Sequence, residues 1–329
     1  MIEMKQISRY AYANTRIRAM VSKLLDEEFF IRAETLNLQS FIELLEKTYY
    51  GDIIKKLDRQ LKIEDFEIMC INKDRQLLKK IFNILWSKNE KHLIFLLDEK
   101  YRIEQLKFVL RLWKKNQSTD IPEMTGEFSM LLKAKSIDDI IGLIDDKEYK
   151  EAIKNSKDAF LSSNCLYPVE VSIDRKYFEK LLKAIERLSS ADRVIARRII
   201  GAQIDRENLM WLGRIKLYYE GKIPEEFSGF IPGGTLSEKH LKMLLSQSSS
   251  EQYTGIPRQY LDIVADLPEK LSEIDSILEG MIMHEVKKAF VEGLFTIGVP
   301  VGYIFLKLRE TKKVISFLAK KYYATFVYQ

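Results

Sequence analysis

The chain has 329 residues, 46% of them apolar and 31% charged, with 53 Lys and Arg against 48 Asp and Glu for a net charge of +5. That much apolar material fills more than one core, and a chain of this length divides into two or three domains. Disorder, a collagen-like repeat and a disulfide scaffold each require a very different composition and are excluded; because the two charge signs are interleaved rather than gathered on one face, no nucleic-acid partner is expected.

The opening MIEMKQISRYAY lacks the basic region and apolar run of a secretory signal, so the expected location is the cytosol. Behind it, Ile17, Met20, Val21, Leu24 and Leu25 recur at helical spacing. Ser40 is the predicted N-cap before Phe41, Leu44 and Leu45, with Glu43 completing a capping box. Leu77, Leu78, Ile81, Phe82 and Leu85 form a second stripe. Lys115 to Pro122 (KNQSTDIP) breaks the pattern and reads as a joint. Ser136 with Asp139 repeats the cap ahead of Ile140 and Ile141. Val169, Val171 and Ile173 alternate over the only length usable as a strand, after which Asp174 is the predicted N-cap of RKYFEKLLKAIERL. The fold class is all-α.

Arg193 to Arg198 (RVIARR) is the densest basic stretch, with Val194, Ile195, Ile199 and Ile200 interleaved at helical spacing. It is either the basic outer face of an amphipathic helix, a docking surface for an acidic protein, or a contact for phosphate or lipid. Arg193, Arg197 and Arg198 are the candidate interface residues. A second joint falls at Gly221 to Pro232, and Gly233-Gly234 reads as a turn before a helix capped by Ser237 and carrying Leu241, Leu244 and Leu245. The longest uncharged stretch, Gly293 to Leu306, has 14 residues with Pro300 and three glycines, short of the roughly 20 apolar residues of a bilayer span.

The pattern repeats in thirds. The capping serines Ser40, Ser136 and Ser237 stand 96 and 101 residues apart, and each helix runs toward a tyrosine: Tyr49, Tyr149 and Tyr253. A second element closes each third: Glu104-Gln105-Leu106 leads to Arg111, Glu207-Asn208-Leu209 to Arg214, and Lys312-Lys313-Val314 to Ala319, at offsets of 103 and 105. There the arginine is expected to reach a helix C-terminal carbonyl or water. The thirds divide as residues 1–117, 118–221 and 222–329.

No device of catalysis accompanies them. The chain lacks a phosphate-wrapping GxxxxGK[ST] and a GxSxG, and His92, His240 and His284 lie in separate predicted helices without metal-ligand spacing. Cys70 and Cys165 stand alone as reduced thiols, and Asp145-Asp146 suits a solvated helix end. The expectation is a non-catalytic interaction protein with no metal, no cofactor and no small-molecule substrate.

Three segments carry a resemblance: YAYANTRIRAMVSKLL with its Tyr10-x-Tyr12-x5-Arg18 pattern, the central ADRVIARRIIGAQIDRENLMWLGRIKLYY around Asp205-x-x-Asn208-Leu209, and the closing GYIFLKLRETKKVISFLAKKYY around Glu310. Together they resemble the C subunit of prokaryotic V/A-type rotary ATPases, the counterpart of the eukaryotic d subunit, over essentially the whole chain. Lys313 departs from the pattern, standing where the middle copy has Asn208. The resemblance implies three similar helical domains in a pseudo-threefold arrangement forming a funnel. It further implies a non-catalytic rotor subunit on the cytoplasmic face of the membrane, with central shaft subunits of D and F type on one side and the membrane rotor ring on the other. In that setting Asp205 and Asn208 are a cap and a packing amide, and Phe295 to Phe305 either packs in the core or touches ring loops or lipid headgroups. The competing reading is a helical adaptor unrelated to a motor, whose repeats run 30 to 50 residues rather than about 100.

Overall fold

The computed structural model describes residues 4–57, 62–115, 123–218, 229–245 and 271–327. Every regular element among them is helical: α1 (Met4–Val21), α2 (Glu27–Thr35), α3 (Leu38–Glu46), α4 (Gly51–Ile54), α5 (Ile63–Ile84), α6 (Lys88–Lys114), a 3-10 segment (Glu123–Lys133), α7 (Ile137–Leu143), α8 (Lys147–Asn155), α9 (Lys157–Ser163), α10 (Tyr167–Glu186), α11 (Ser190–Tyr218), α12 (Glu238–Leu245), α13 (Leu271–Glu292) and α14 (Gly298–Val327). Most of both proposed joints, the boundaries at 117/118 and 221/222, and Tyr253 lie outside the described residues.

Three times the chain runs from a short helix to one of 20 to 22 residues and then to one of 27 to 30. These are α3, α5, α6; then α7, α10, α11; then α12, α13, α14. The first two middle members begin at Ile63 and Tyr167, 104 residues apart. The loop after the first two long helices repeats as well. Gly126 (φ +48°) and Gly229 (φ +88°) each stand 21 residues beyond the amides Gln105 and Asn208. Both occupy the left-handed region that glycine enters without steric cost. At Gly126 the Gln105 side chain fills the space a Cβ would need.

Contacts group the chain into two compact units, one of residues 1–98 with 289–329 and one of residues 99–288. In the first, Phe30, Phe41, Leu45, Tyr50, Ile53, Ile63 and Phe66 of the early helices close around Val314 and Leu318 of α14. In the second, Leu209, Leu212 and Ile215 of α11 pack with Phe230, Leu236, Leu241, Leu244, Ile274 and Leu278. Full burial of such side chains stabilises by about 1.5–3 kcal/mol each, which is what holds short helices that are marginal alone. A common rule emerges. The later half of each long helix packs on helices of the following run: α6 on α10, α11 on α12 and α13, and α14 on α2, α3 and α5. The last run thereby packs on the first.

Two expectations need correction. Ser40 does not cap α3. The helix begins at Leu38, and the cap is Asn37, whose side chain accepts from the Ser40 N–H at 2.9 Å. Leu36 and Phe41, the two positions of a hydrophobic staple, both pack into the core and draw the helix start back. Nor does Asp174 open a helix. α10 runs continuously from Tyr167 to Glu186, with Pro168 in its first turn, and Asp174 is buried in its interior. Val169, Val171 and Ile173 alternate because this stretch is buried on more than one face, not because it is a strand. The Ser136–Asp139 capping box is formed, and Ser237 caps α12 with His240 in the reciprocal position. Phe295 to Phe305 lies largely in the core, with Ile297, Val299, Val301, Tyr303 and Ile304 buried.

Candidate interaction surface

α11 opens with a cap that pattern reading passed over. The Ser189 hydroxyl accepts from the Asp192 N–H and donates to the Asp192 carboxylate at 2.6 Å. Ser87 and Glu90 do the equivalent for α6, where Asn89 N–H donates to Ser87 Oγ and Ser87 N–H to Glu90 Oε2. Both are Ser-x-x-acid directly after an apolar residue, so the signal was present at the starts of the long helices.

From that start α11 carries the three predicted interface arginines. Arg193 and Arg197, one turn apart, share Glu186, the last residue of α10; Arg193 Nη1 is 3.7 Å from it, and Arg193 also donates to Leu188 O. Their side chains remain 43% and 55% exposed, with Val194 open to solvent between them. Two cations beside Glu186 also offset a carboxylate placed at the negative end of a helix. Arg198 turns elsewhere, its Nε donating to Glu285 of α13 at 2.9 Å. The stretch thus separates into an exposed Arg193–Val194–Arg197 surface and one arginine bound into the fold.

Beneath the surface lie ionic braces. Lys107 on α6 is buried with its Nζ 2.9 and 3.0 Å from the two oxygens of Asp174, and 3.0 Å from Glu104. Lys100 reaches Glu104 at 2.9 Å and Asp174 at 3.6 Å. Burial alone would raise the Glu104 carboxyl, but Lys100 and Lys107 hold it down at about 2. Arg111, expected to find a carbonyl or water, instead clamps Glu170 through two bonds of 2.6 and 2.8 Å. Arg214, its counterpart one repeat on, lies over the Trp211 ring at 4.2 Å. The Asp205 carboxylate accepts from the Thr235 and Leu236 N–H groups, and the buried Asn208 amide exchanges both its bonds with the Ile231 backbone at 2.9 and 2.8 Å. Asn208 is thus the expected packing amide, whereas Asp205 caps no helix: it sits inside α11 and holds the loop ahead of α12.

The first unit has a comparable hub. Lys307 and Glu310 of α14 pair at 2.5 Å; Tyr50 donates to Glu310 at 2.9 Å, accepts from Lys307 and lies 3.0 Å from the Thr311 hydroxyl. Glu310 also accepts from the Leu25 N–H. Asp74 on α5 is buried beside them, and neither carboxylate oxygen makes a well-formed hydrogen bond. Burial pushes its carboxyl up to about 6, with Thr311 and Lys307 only partly opposing. The same burial raises the Cys70 thiol and lowers the Lys307 ammonium. At the other end of α1, Tyr10 and Arg9 engage the buried Glu90, while Arg18 donates to Phe290 O. The residues that carried the resemblance, Tyr10, Arg18, Asp205, Asn208 and Glu310, are therefore structural ties. In the copy that departs, Lys313 pairs with Glu27 at 2.9 Å and covers the Phe30 ring.

This arrangement of buried ion pairs and hydrogen bonds resists relative movement of the helices it joins. No group of three potential metal ligands occurs among them, and none of their helices is long and apolar enough to cross a membrane.

A family model described as ATP synthase (C/AC39) subunit matches residues 13–324. Among curated relatives, the C subunit of the A-type ATP synthase of Thermococcus onnurineus is 25% identical over 318 residues, covering 93% of this chain and 84% of its own. That of Pyrococcus abyssi is 24% identical with the same coverage, and that of Methanosarcina acetivorans is 28% identical over 291 residues, covering 85% of this chain and 79% of its own.

Proposed function

The chain belongs to the ATP synthase (C/AC39) subunit family, and from that premise we propose that it is a non-catalytic central-stalk subunit of a V/A-type ATPase. It links shaft subunits of D and F type to the membrane rotor ring and carries torque between ATP chemistry in the soluble head and ion movement in the ring. It is peripheral, on the cytoplasmic face, and built as three helical domains, residues 1–117, 118–221 and 222–329. The observation that carries this reading is the packing of each long helix into the following run of helices, with the last closing on the first. A twisting load then acts on buried, close-packed contacts rather than on linkers, and interiors of that density yield little.

Arg193 and Arg197 with Val194 are the proposed contact for an acidic partner surface: an exposed apolar residue rimmed by cations is the composition of a small docking patch. Arg198 is the weaker member because its guanidinium is committed to Glu285. The test is copurification of the tagged chain from its native membranes. Recovery with shaft and ring subunits is expected, and Arg193→Glu with Arg197→Glu is expected to release the shaft while circular dichroism stays unchanged. Recovery of the wild-type chain alone overturns the rotor assignment; undiminished shaft recovery by the double variant removes only the arginine patch.

A further inference from the structure

One surface of the first unit is not used by any contact described so far. At the turn from α5 to α6, Trp86 is 74% exposed. Lys88, His92 and Phe95 continue from it down one face of α6 at helical spacing, with Phe95 58% exposed and His92 stacked on it at 6.4 Å. Lys79 and Lys80 on the outer face of α5 approach the same turn, and Lys91 lies over the Phe82 ring. The acid of this turn, Glu90, is buried and already answered by Arg9 and Tyr10. Lys80 and Lys88 form no ion pair with any described residue. α1 is tied to Glu90 at Tyr10 and to Phe290 at Arg18, about 12 Å apart at the helical rise. The latter tie sets the exposed Val291 and Leu294 beyond the far end of the same helix.

We infer that this Trp86–Lys80–Lys88 surface docks on anionic phospholipid headgroups. Three features select lipid over an acidic protein. An exposed tryptophan, apolar in body and polar at its N–H, fits the headgroup level of a bilayer. The cations at the turn are lysines, mobile point charges suited to laterally mobile phosphates, whereas cores of protein interfaces favour arginine and are depleted in lysine. The apolar side chains are spread over turns and helix faces, as suits a surface that is itself fluid. The inference draws on the proposed function for the nearness of a membrane, and adds that the protein touches lipid as well as its partner chains.

The test is cosedimentation of the full chain with vesicles of phosphatidylcholine alone or with phosphatidylglycerol added. Binding only to the anionic vesicles is expected, with Trp86 shielded from acrylamide quenching. Each lysine near an anionic surface contributes enough that Lys80→Gln with Lys88→Gln is expected to weaken partitioning about 30-fold. Trp86→Ala is expected to weaken binding to the anionic vesicles while its circular dichroism stays that of the wild type. Equal binding to both vesicle types, or variants that bind as the wild type does, overturns the inference. So does loss of ring capture by these variants in zwitterionic membranes without any vesicle binding, which assigns the surface to a protein instead. Vesicles need no partner chain, so failure here leaves the rotor assignment to stand or fall by copurification.

Discussion

Asp74 offers the sharpest test of how the last helix is held in the first unit. It faces Lys307, Glu310 and Thr311 of α14, Tyr49 and Tyr50 of the segment before α5, and Cys70 and Lys73 of its own helix. Its carboxyl titrates at about 6 in the folded chain against 3.8 for the free group. The folded state therefore holds the proton more tightly than the unfolded state. The stability this contributes is fully present below pH 3.8 and is lost as pH rises to about 6. A shift of about two units corresponds to about 3 kcal/mol of unfolding free energy. Asp74→Asn mimics the protonated form at every pH. Relative to wild type it is expected to be near neutral at pH 4, to gain stability steadily up to pH 6, and to hold an advantage of about 2–3 kcal/mol above that. Urea unfolding followed by circular dichroism gives the difference, and hydrogen exchange in peptides of α5 and α14 assigns it to this unit. A difference that does not change with pH, or one that falls, would refute a buried and poorly satisfied carboxylate at this position.

Lys107→Met leaves Asp174 buried without its main partner and is expected to cost about 3–5 kcal/mol, much of it recovered when Asp174→Leu is added; thermal melts of the single and double variants separate the two contributions. Asn208→Ala removes both bonds to Ile231 and should lower unfolding free energy by about 1–3 kcal/mol, read as a shifted urea midpoint with unchanged slope. Leu318→Ala is expected to cost about 2–5 kcal/mol by opening a cavity between α14 and the early helices, with faster hydrogen exchange reaching α3 as well as α14. Exchange confined to α14 would contradict the packing of last helix on first.

Helical periodicity exposed the class, the stripe through Leu77–Leu85, and the near-100-residue recurrence, because each reflects a local rule repeated over many residues. What it missed depended on distant partners. Val169–Ile173 looks like a strand in isolation, since alternation and burial on several helix faces leave the same short signature. Ser40 and Asn37 are both good caps; the choice falls to Asn37 through the packing of Leu36 and Phe41, which no window around Ser40 reveals. Nothing in the local pattern marks Lys107 or Lys307 as buried partners, and Asp174 reads locally as a helix N-cap. Only Glu310 was marked, through the resemblance, and its bonds to Leu25 and Tyr50 span 285 and 260 residues. The arginines of the proposed contact are legible as a basic stretch, but the division that sends Arg198 to Glu285 is set by α13, another helix altogether.

The contacts that α6, α11 and α14 make with later or earlier helices mix apolar and ionic chemistry in different proportions. Where α6 meets α10 the contact is ionic, Lys107 with Asp174 and Arg111 with Glu170. Where α11 meets α12 and α13 an apolar cluster is flanked by the pairs Arg198–Glu285 and Arg206–Asp275, with Asn208 and Asp205 fixing the adjoining loop through backbone bonds. Where α14 meets the early helices both are present, aromatic packing around Val314 and Leu318 and the Lys307–Glu310–Tyr50 hub. Apolar contact is strong but non-directional, whereas a buried ion pair adds little net stability and penalises any slip that leaves one charge alone. A protein that had only to be stable would gain by replacing such pairs with leucine. Ion pairs stand at each of the three contacts, on helices that tie one run to the next, which fits the proposed load-carrying role, in which helices must keep register.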